Sequence, residues 1–142
     1  MKILMPVDGS QYTRHMLGYM AAPGRWPGDE PHEITCVTVV PPLPLRARGY
    51  MDEANMQAYY ANEAAGALQQ VVEFAARHAW QPAIVRKVGQ PGKVIADMAA
   101  EEGFDLIVMG SHGHSAVGAL LLGSVTSQVL AQCRVPVLVV RR

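Results

Sequence analysis

Residues Gly110 to Ser124 read Gly-Ser-His-Gly-His-Ser-Ala-Val-Gly-Ala-Leu-Leu-Leu-Gly-Ser and follow directly on the apolar run Leu106–Met109. A glycine-rich loop that leaves a buried strand and feeds a helix can present converging backbone N–H groups and the positive end of a helix dipole to an anion. Gly110, Gly113 and Gly123 are expected to turn the chain through positive φ and let it approach a ligand, with Ser124 capping a helix that Val125 begins. The spacing Gly-x2-Gly-x9-Gly-Ser fits neither the Gly-x4-Gly-Lys-Ser/Thr loop nor the Gly-x-Gly-x-x-Gly fingerprint. The loop holds no Lys or Arg. His112 and His114 are placed to hydrogen-bond a phosphate; as a metal pair they would need further ligands, and the loop offers none. One helix-end interaction supplies roughly 0.3–1 kcal/mol, while micromolar affinity needs about 8 kcal/mol, so a bound triphosphate would depend on magnesium or on several main-chain hydrogen bonds.

A second group of polar residues lies near the start of the chain, where Lys-Ile-Leu-Met-Pro-Val-Asp-Gly-Ser spans residues 2–10. Asp8 has two readings. It can be a turn residue bonding the backbone of Gly9 and Ser10. Equally, its carboxylate can accept ribose hydroxyls or help place a magnesium ion, which prefers hard oxygen ligands. Arg46 and Arg48, in the Pro41–Tyr50 stretch, are read as a solvated loop rather than a lid over the site.

These groups must be positioned by regular elements. Strand-like runs at Ile3–Val7, Ile34–Val40, Ala83–Val88, Leu106–Met109 and Val137–Val140 alternate with four helical patterns, the signature of a mostly parallel α/β sheet. The first helix opens at Ser10 and ends before Pro23. The second carries the stripe Met56, Tyr60, Ala64, Ala67, Val71, Phe74 and His78. The third is bracketed by Pro91 and Gly103 and turns Val94, Ile95 and Met98 inward, as Leu122, Val125 and Val129 do in the fourth. Arg25–Pro31 and Pro41–Tyr50 are expected to be irregular. In such sheets a ligand sits beyond the carboxyl ends of the strands where the strand order reverses.

Composition excludes several classes. A chain of 142 residues with 50% apolar content is expected to form one domain, 1–142, with an ample core. Lys plus Arg and Asp plus Glu both number 12, so no basic excess exists to neutralise a row of nucleic-acid phosphates. The apolar run Ile3–Met5 is cut by Pro6 and Asp8, far short of a signal-peptide core or the roughly 20 residues of a membrane span. A cytoplasmic protein with no membrane partner is expected. Cys36 and Cys133 lack metal-ligand spacing and are expected to be reduced and structural.

At the glycine loop the chain resembles the universal stress protein family, specifically its ATP-binding branch, whose signature is this glycine spacing with a terminal Ser or Thr. Lys2–Ser10 resembles the family's first strand and acidic turn, Gly89-Gln90-Pro91 its third-strand exit and Val135–Val140 its last strand, so the likeness covers essentially the whole chain. The resemblance implies a Rossmann-like α/β fold: an open five-stranded parallel sheet, order 3-2-1-4-5, with helices on both faces. It implies that Gly110, Gly113, Gly123, Ser124 and the N–H of Val125 contact phosphates and that Met109 lies near the nucleoside. Asp8, preceded by Pro6 and Val7, would meet the sugar and Mg2+, and the backbone of Val39 would read adenine. It further implies an ATP-binding regulatory or stress-response module, at most a slow ATPase, that dimerises through the edge strand Val135–Val140. Alternatives are an AMP or cyclic-nucleotide module of the same fold, or a nucleotidyl-transferring enzyme. For the last, Ser111-His112-Gly113-His114 has Ser where the first His of His-x-Gly-His belongs. A flavin carrier would want aromatic residues, and neither motif has one.

Overall fold

The computed structural model describes residues 1–24, 31–114 and 122–141. Strands β1 (Lys2–Pro6), β2 (Glu33–Val40), β3 (Ala83–Val88), β4 (Leu106–Gly110) and β5 (Val137–Val140) pair in the order β3-β2-β1-β4-β5, and every pairing is parallel. The helices are α1 (Gln11–Ala21), α2 (Leu45–Arg48), α3 (Glu53–Arg77), α4 (Pro91–Glu101) and α5 (Ser124–Gln132).

Alternation along the central strands divides the core in two. Ile3, Met5 and Val7, with Cys36 and Val108, pack against Met16, Leu17 and Met20 of α1 and Val71 of α3. On the other face Leu4, Val37, Ile107 and Met109 pack against Ile95, Met98 and Ala99 of α4 and Val129 of α5. Both faces of the sheet are therefore covered, as an all-parallel sheet requires. Burial in the first cluster pushes the Cys36 thiol up to about 12, so this cysteine is inert packing. No described helix is long and apolar enough to cross a membrane.

The five expected strands are present, with ends within one residue of the expected ones. Ser10 caps α1, its side chain accepting from the Thr13 N–H at 3.4 Å, and Pro91 stands at the first turn of α4, followed at its far end by Gly103 with φ 68°. Three local readings change. Ser124 is the first residue of α5 rather than its cap; Gly123 takes the cap position, with φ −70° and ψ 163° and no capping side chain. His78 does not join the α3 stripe. It is exposed, stacked on Phe74 at 3.9 Å, and Ala75 takes the buried place. The Pro41–Tyr50 stretch contains the single-turn α2, which follows Pro44 and is tied back by Arg48 Nε donating to the Leu43 carbonyl at 2.7 Å. Of Arg25–Pro31, all but Pro31 lies outside the described residues.

Ile107 is fully buried in β4. Its truncation to Ala should lower the unfolding free energy by roughly 2–5 kcal/mol, whereas Leu45→Ala, at a side chain 80% exposed, should change it by less than about 0.5 kcal/mol. Urea denaturation of the two variants side by side measures both.

Candidate functional site

The two central strands part at their carboxyl ends because their main chains bond in opposite directions. Past Pro6, the Val7 N–H donates to the Val37 carbonyl of β2 at 2.8 Å; past Gly110, the Ser111 N–H donates to the Val140 carbonyl of β5 at 3.1 Å. The crevice between them is a cavity of about 230 Å³. Pro6, Val7 and Asp8 line it from β1 and its turn, Val39 from β2, and Met109 and Gly110 from β4. The loop contributes His112, Gly113 and His114, and Gly123, Ser124 and Val125 stand at the start of α5. Every residue picked out from the two motifs and from β2 is thus brought to one wall of space, including pairs about a hundred residues apart in sequence.

Asp8 is the turn residue of its first reading. Its Oδ1 accepts from the Ser10 N–H at 2.9 Å and from the Thr13 hydroxyl at 2.9 Å, while its own N–H donates to Thr13 Oγ1 at 3.1 Å. The turn is completed by Gly9 at φ 75°, where a side chain would also crowd the backbone of Ala67. Oδ2 has no hydrogen bond among the described residues and faces the loop. A Cβ placed on Gly113 would lie 2.5 Å from it.

The loop glycines are needed for a different reason from the one expected. None of Gly110, Gly113 and Gly123 has positive φ. They are glycines because the chain passes too close to its neighbours for a side chain: a Cβ at Gly110 would lie 2.9 Å from Tyr12 Cβ, and one at Gly123 would lie 3.0 Å from His112 Cα. The ends of the loop are closed on each other by the Gly123 N–H donating to the Ser111 carbonyl at 2.7 Å. No side chain caps α5, and its first residues, Ser124, Val125 and Thr126, line the cavity; the N–H groups of a helix's first turn have no helical carbonyl to bond.

The two histidines are held apart. His114 Nε2 lies 2.6 Å from the Asp8 carbonyl oxygen. The His112 ring sits 5.2 Å from that of Tyr12, with its Nδ1 3.1 Å from Ser111 Oγ. No group of three His, Cys, Asp or Glu among the described residues could hold a metal. Among the described lining residues Asp8 alone has a permanent charge. Arg46 and Arg48 do not line the cavity.

Sequence reasoning missed Thr13, Val37, Pro91, Ile95 and Thr126, which also line the cavity. Thr13 is 4% exposed and Thr126 3%, and the Thr126 hydroxyl donates to the Gly110 carbonyl at 2.9 Å. Their signal was a hydroxyl one turn into each helix, at the spacing that reaches back to the preceding strand. Val39 packs against the cluster of Val37, Ile95 and Met109, and its main-chain direction follows from its neighbours. Val37 bonds toward β1 and the Val40 carbonyl accepts from Gly89 on the β3 side at 3.0 Å. Strand alternation therefore turns the N–H and C=O of Val39 toward the side where β1 has already left the sheet.

A family model described as the universal stress protein family matches residues 1–141. The chain belongs to this family. The universal stress protein MJ0531 of Methanocaldococcus jannaschii is 30% identical over 143 aligned residues, covering 99% of this chain and 82% of that one. Universal stress protein MJ0577 of the same organism is 49% identical over 55 residues, a stretch covering 39% of this chain and spanning about a third (34%) of that relative's length. The structure solved for MJ0577 has a TM-score of 0.82 at 28% identity and covers 99% of this chain and 95% of its own. A universal stress protein solved in complex with cAMP shares the fold, with TM-score 0.66 at 23% identity over 98% and 95% of the two chains.

Within this family member the Asp8 turn depends on one hydroxyl. Thr13→Val removes a donor and an acceptor in a buried place and should destabilise by about 1–3 kcal/mol. Thr13→Ser, which keeps the hydroxyl, should lose much less. Chemical denaturation of the two variants reads the difference, and equal losses would mean that the methyl group, not the hydroxyl, matters there.

Proposed function

We propose that the cavity between β1 and β4 binds an adenine nucleotide, with the phosphates at the glycine loop and the start of α5 and the base toward Val39. The observation that carries this reading is the meeting, around one space, of an uncapped helix N-terminus and a carboxylate with one unengaged oxygen. The first suits phosphate oxygens and the second suits ribose hydroxyls or a hard cation. Proteins of the same fold have been solved in complex with AMP, dAMP and cAMP. In this reading ATP enters as its Mg2+ complex. Asp8 Oδ2 offers the ion one oxygen, so phosphates and water would supply the other ligands, as is usual for Mg2+.

AMP or a cyclic nucleotide is a second reading favoured by one specific observation. No Lys or Arg among the described residues lines the cavity, and the fewer charges a ligand carries, the less counter-charge it requires. Nucleotide occupancy would bias the protein's own conformation or its choice of partner in the cytoplasm. Hydrolysis would be slow at most, since among the described residues of the lining Asp8 and the two histidines are the only titratable groups and this reading already gives Asp8 to the sugar and the metal.

Mass spectrometry of the small molecules released on denaturing the purified protein identifies the ligand. In calorimetry, Gly113→Val and Gly123→Val should abolish nucleotide binding while the fold persists; affinity equal to the parent chain's would refute the cradle. Asp8→Ala should weaken Mg-ATP more than adenine alone, and equal losses would remove the role given to Oδ2.

We also propose that two copies pair through the edge strand within Val135–Val140. The Pro136 carbonyl accepts from Ile107 and the Val140 carbonyl from Ser111, so the main-chain groups of Val137 and Val139 point outward along an apolar edge. Val139→Pro removes one outward N–H without touching the β4 ladder. It should convert a dimer to a monomer in sedimentation at unchanged circular dichroism, and a parent chain that is itself monomeric would end the proposal.

A further inference from the structure

The glycine loop is held to the rest of the site by a side chain outside its glycine spacing. His114 Nε2 lies 2.6 Å from the main-chain oxygen of Asp8, a contact between residues 106 positions apart. A carbonyl oxygen only accepts, so Nε2 carries the hydrogen, in the neutral ring as in the charged one. The nitrogen that a phosphate might have used is therefore already occupied. At the loop's other end the Ser111 carbonyl is tied to the Gly123 N–H at 2.7 Å. Between these two fastenings the chain crosses Asp8 so closely that Gly113 has no room for a Cβ beside Oδ2.

We propose that His114 is a positioning residue of the nucleotide site, a latch that holds residues 111–114 across the mouth between β1 and β4; this rests on the nucleotide reading above. A stretch containing Gly110 and Gly113 has wide conformational freedom of its own. Without the latch, the phosphate would have to order it on binding, and that ordering is subtracted from affinity. With the latch, the loop is in place before the ligand arrives. The contact is made to the backbone of Asp8, so it also sets the distance between the loop and the Asp8 carboxylate. The nucleoside end, beyond Val39 and Met109, does not depend on it.

The test is calorimetry of AMP and adenosine on the full chain and three variants. His114→Ala should weaken AMP roughly three- to tenfold, the equivalent of one lost hydrogen bond, and adenosine by less than about twofold. His114→Gln carries an amide nitrogen near the place of Nε2 and should recover most of the loss; His114→Asn, one bond shorter, should not. Three results would each overturn the latch: AMP binding unchanged in His114→Ala, equal losses for AMP and adenosine, or His114→Gln as weak as His114→Ala, which would mark a direct imidazole contact with phosphate. If the parent chain binds neither ligand, the nucleotide reading fails, and hydrogen exchange still judges the contact. The Gly123 and Ser10 amides should exchange several-fold faster in His114→Ala and near the parent rate in His114→Gln. Rates unaffected by His114→Ala would refute the latch itself.

Discussion

A parallel sheet whose crossovers change direction between β1 and β4 cannot keep those two strands paired to their ends. Their ladder runs through Ile3–Leu106 and Leu4–Ile107. Val7 then bonds to β2 and Ser111 to β5, and the gap between them cannot be closed by backbone. Everything else at the site answers to that gap. α1 and α5 start beside it, on opposite faces of the sheet, because each follows the strand that opens it. The core residues Met5, Val7, Ile107 and Met109 form the floor just beneath, so the crevice rests on a well-packed base.

Asp8 sits where the first of those strands turns, and the turn consumes half of its carboxylate. One oxygen and the residue's own N–H are bound within a circuit of Ser10 and Thr13. The other oxygen is left facing the loop. A residue that only closed a turn would not need the second oxygen directed at a neighbouring loop, and a residue that only bound ligand would not need a buried threonine to fix it. The hydrogen bonds to Oδ1 restrain the side chain, and that restraint directs Oδ2 at the loop, where the reading proposed above puts a ribose or a cation.

Much of this was legible in the chain. Strand-like runs of four to seven residues, Ser10 as a helix cap and Pro91 at a helix start marked the elements, while the strand order that sets the two motifs side by side came from the family resemblance. What was not legible were contacts between distant segments. Positive φ was expected at three loop glycines, yet their requirement comes from Tyr12, Asp8 and His112 pressing on them, which no local pattern encodes. Thr13 and Thr126 escaped because a hydroxyl inside a helix reads as ordinary until the strand it reaches is known. α2 escaped because four residues after Pro44 carry too short a period to register. Ser124 was misread by one position because Gly123 leaves the α5 terminus bare, and a bare terminus looks like a missing cap rather than an opening.

The electrostatics of the crevice follow from the same geometry and bear on what can occupy it. Among the described residues its permanent charge is a single carboxylate, so there an anion gains attraction from oriented N–H groups and helix dipole, each contributing roughly 0.3–1 kcal/mol, up to about 2 kcal/mol where partly buried. Such a site cannot compete by charge for highly anionic ligands; it must select by shape, through main-chain groups held at fixed separation. Fixed separation is what the close glycine contacts and the Ser111–Gly123 closure provide. A second consequence concerns the carboxylate itself. When phosphate and Asp8 Oδ2 share the same small space, each disfavours the other's charge unless a cation or a hydroxyl hydrogen lies between them. A ribose placed over Asp8 supplies such a hydrogen, and a divalent ion supplies the stronger bridge. On the nucleotide reading proposed above, the more phosphate a ligand brings, the more its binding would depend on that ion, coupling charge on the ligand to dependence on metal through the position of one oxygen atom.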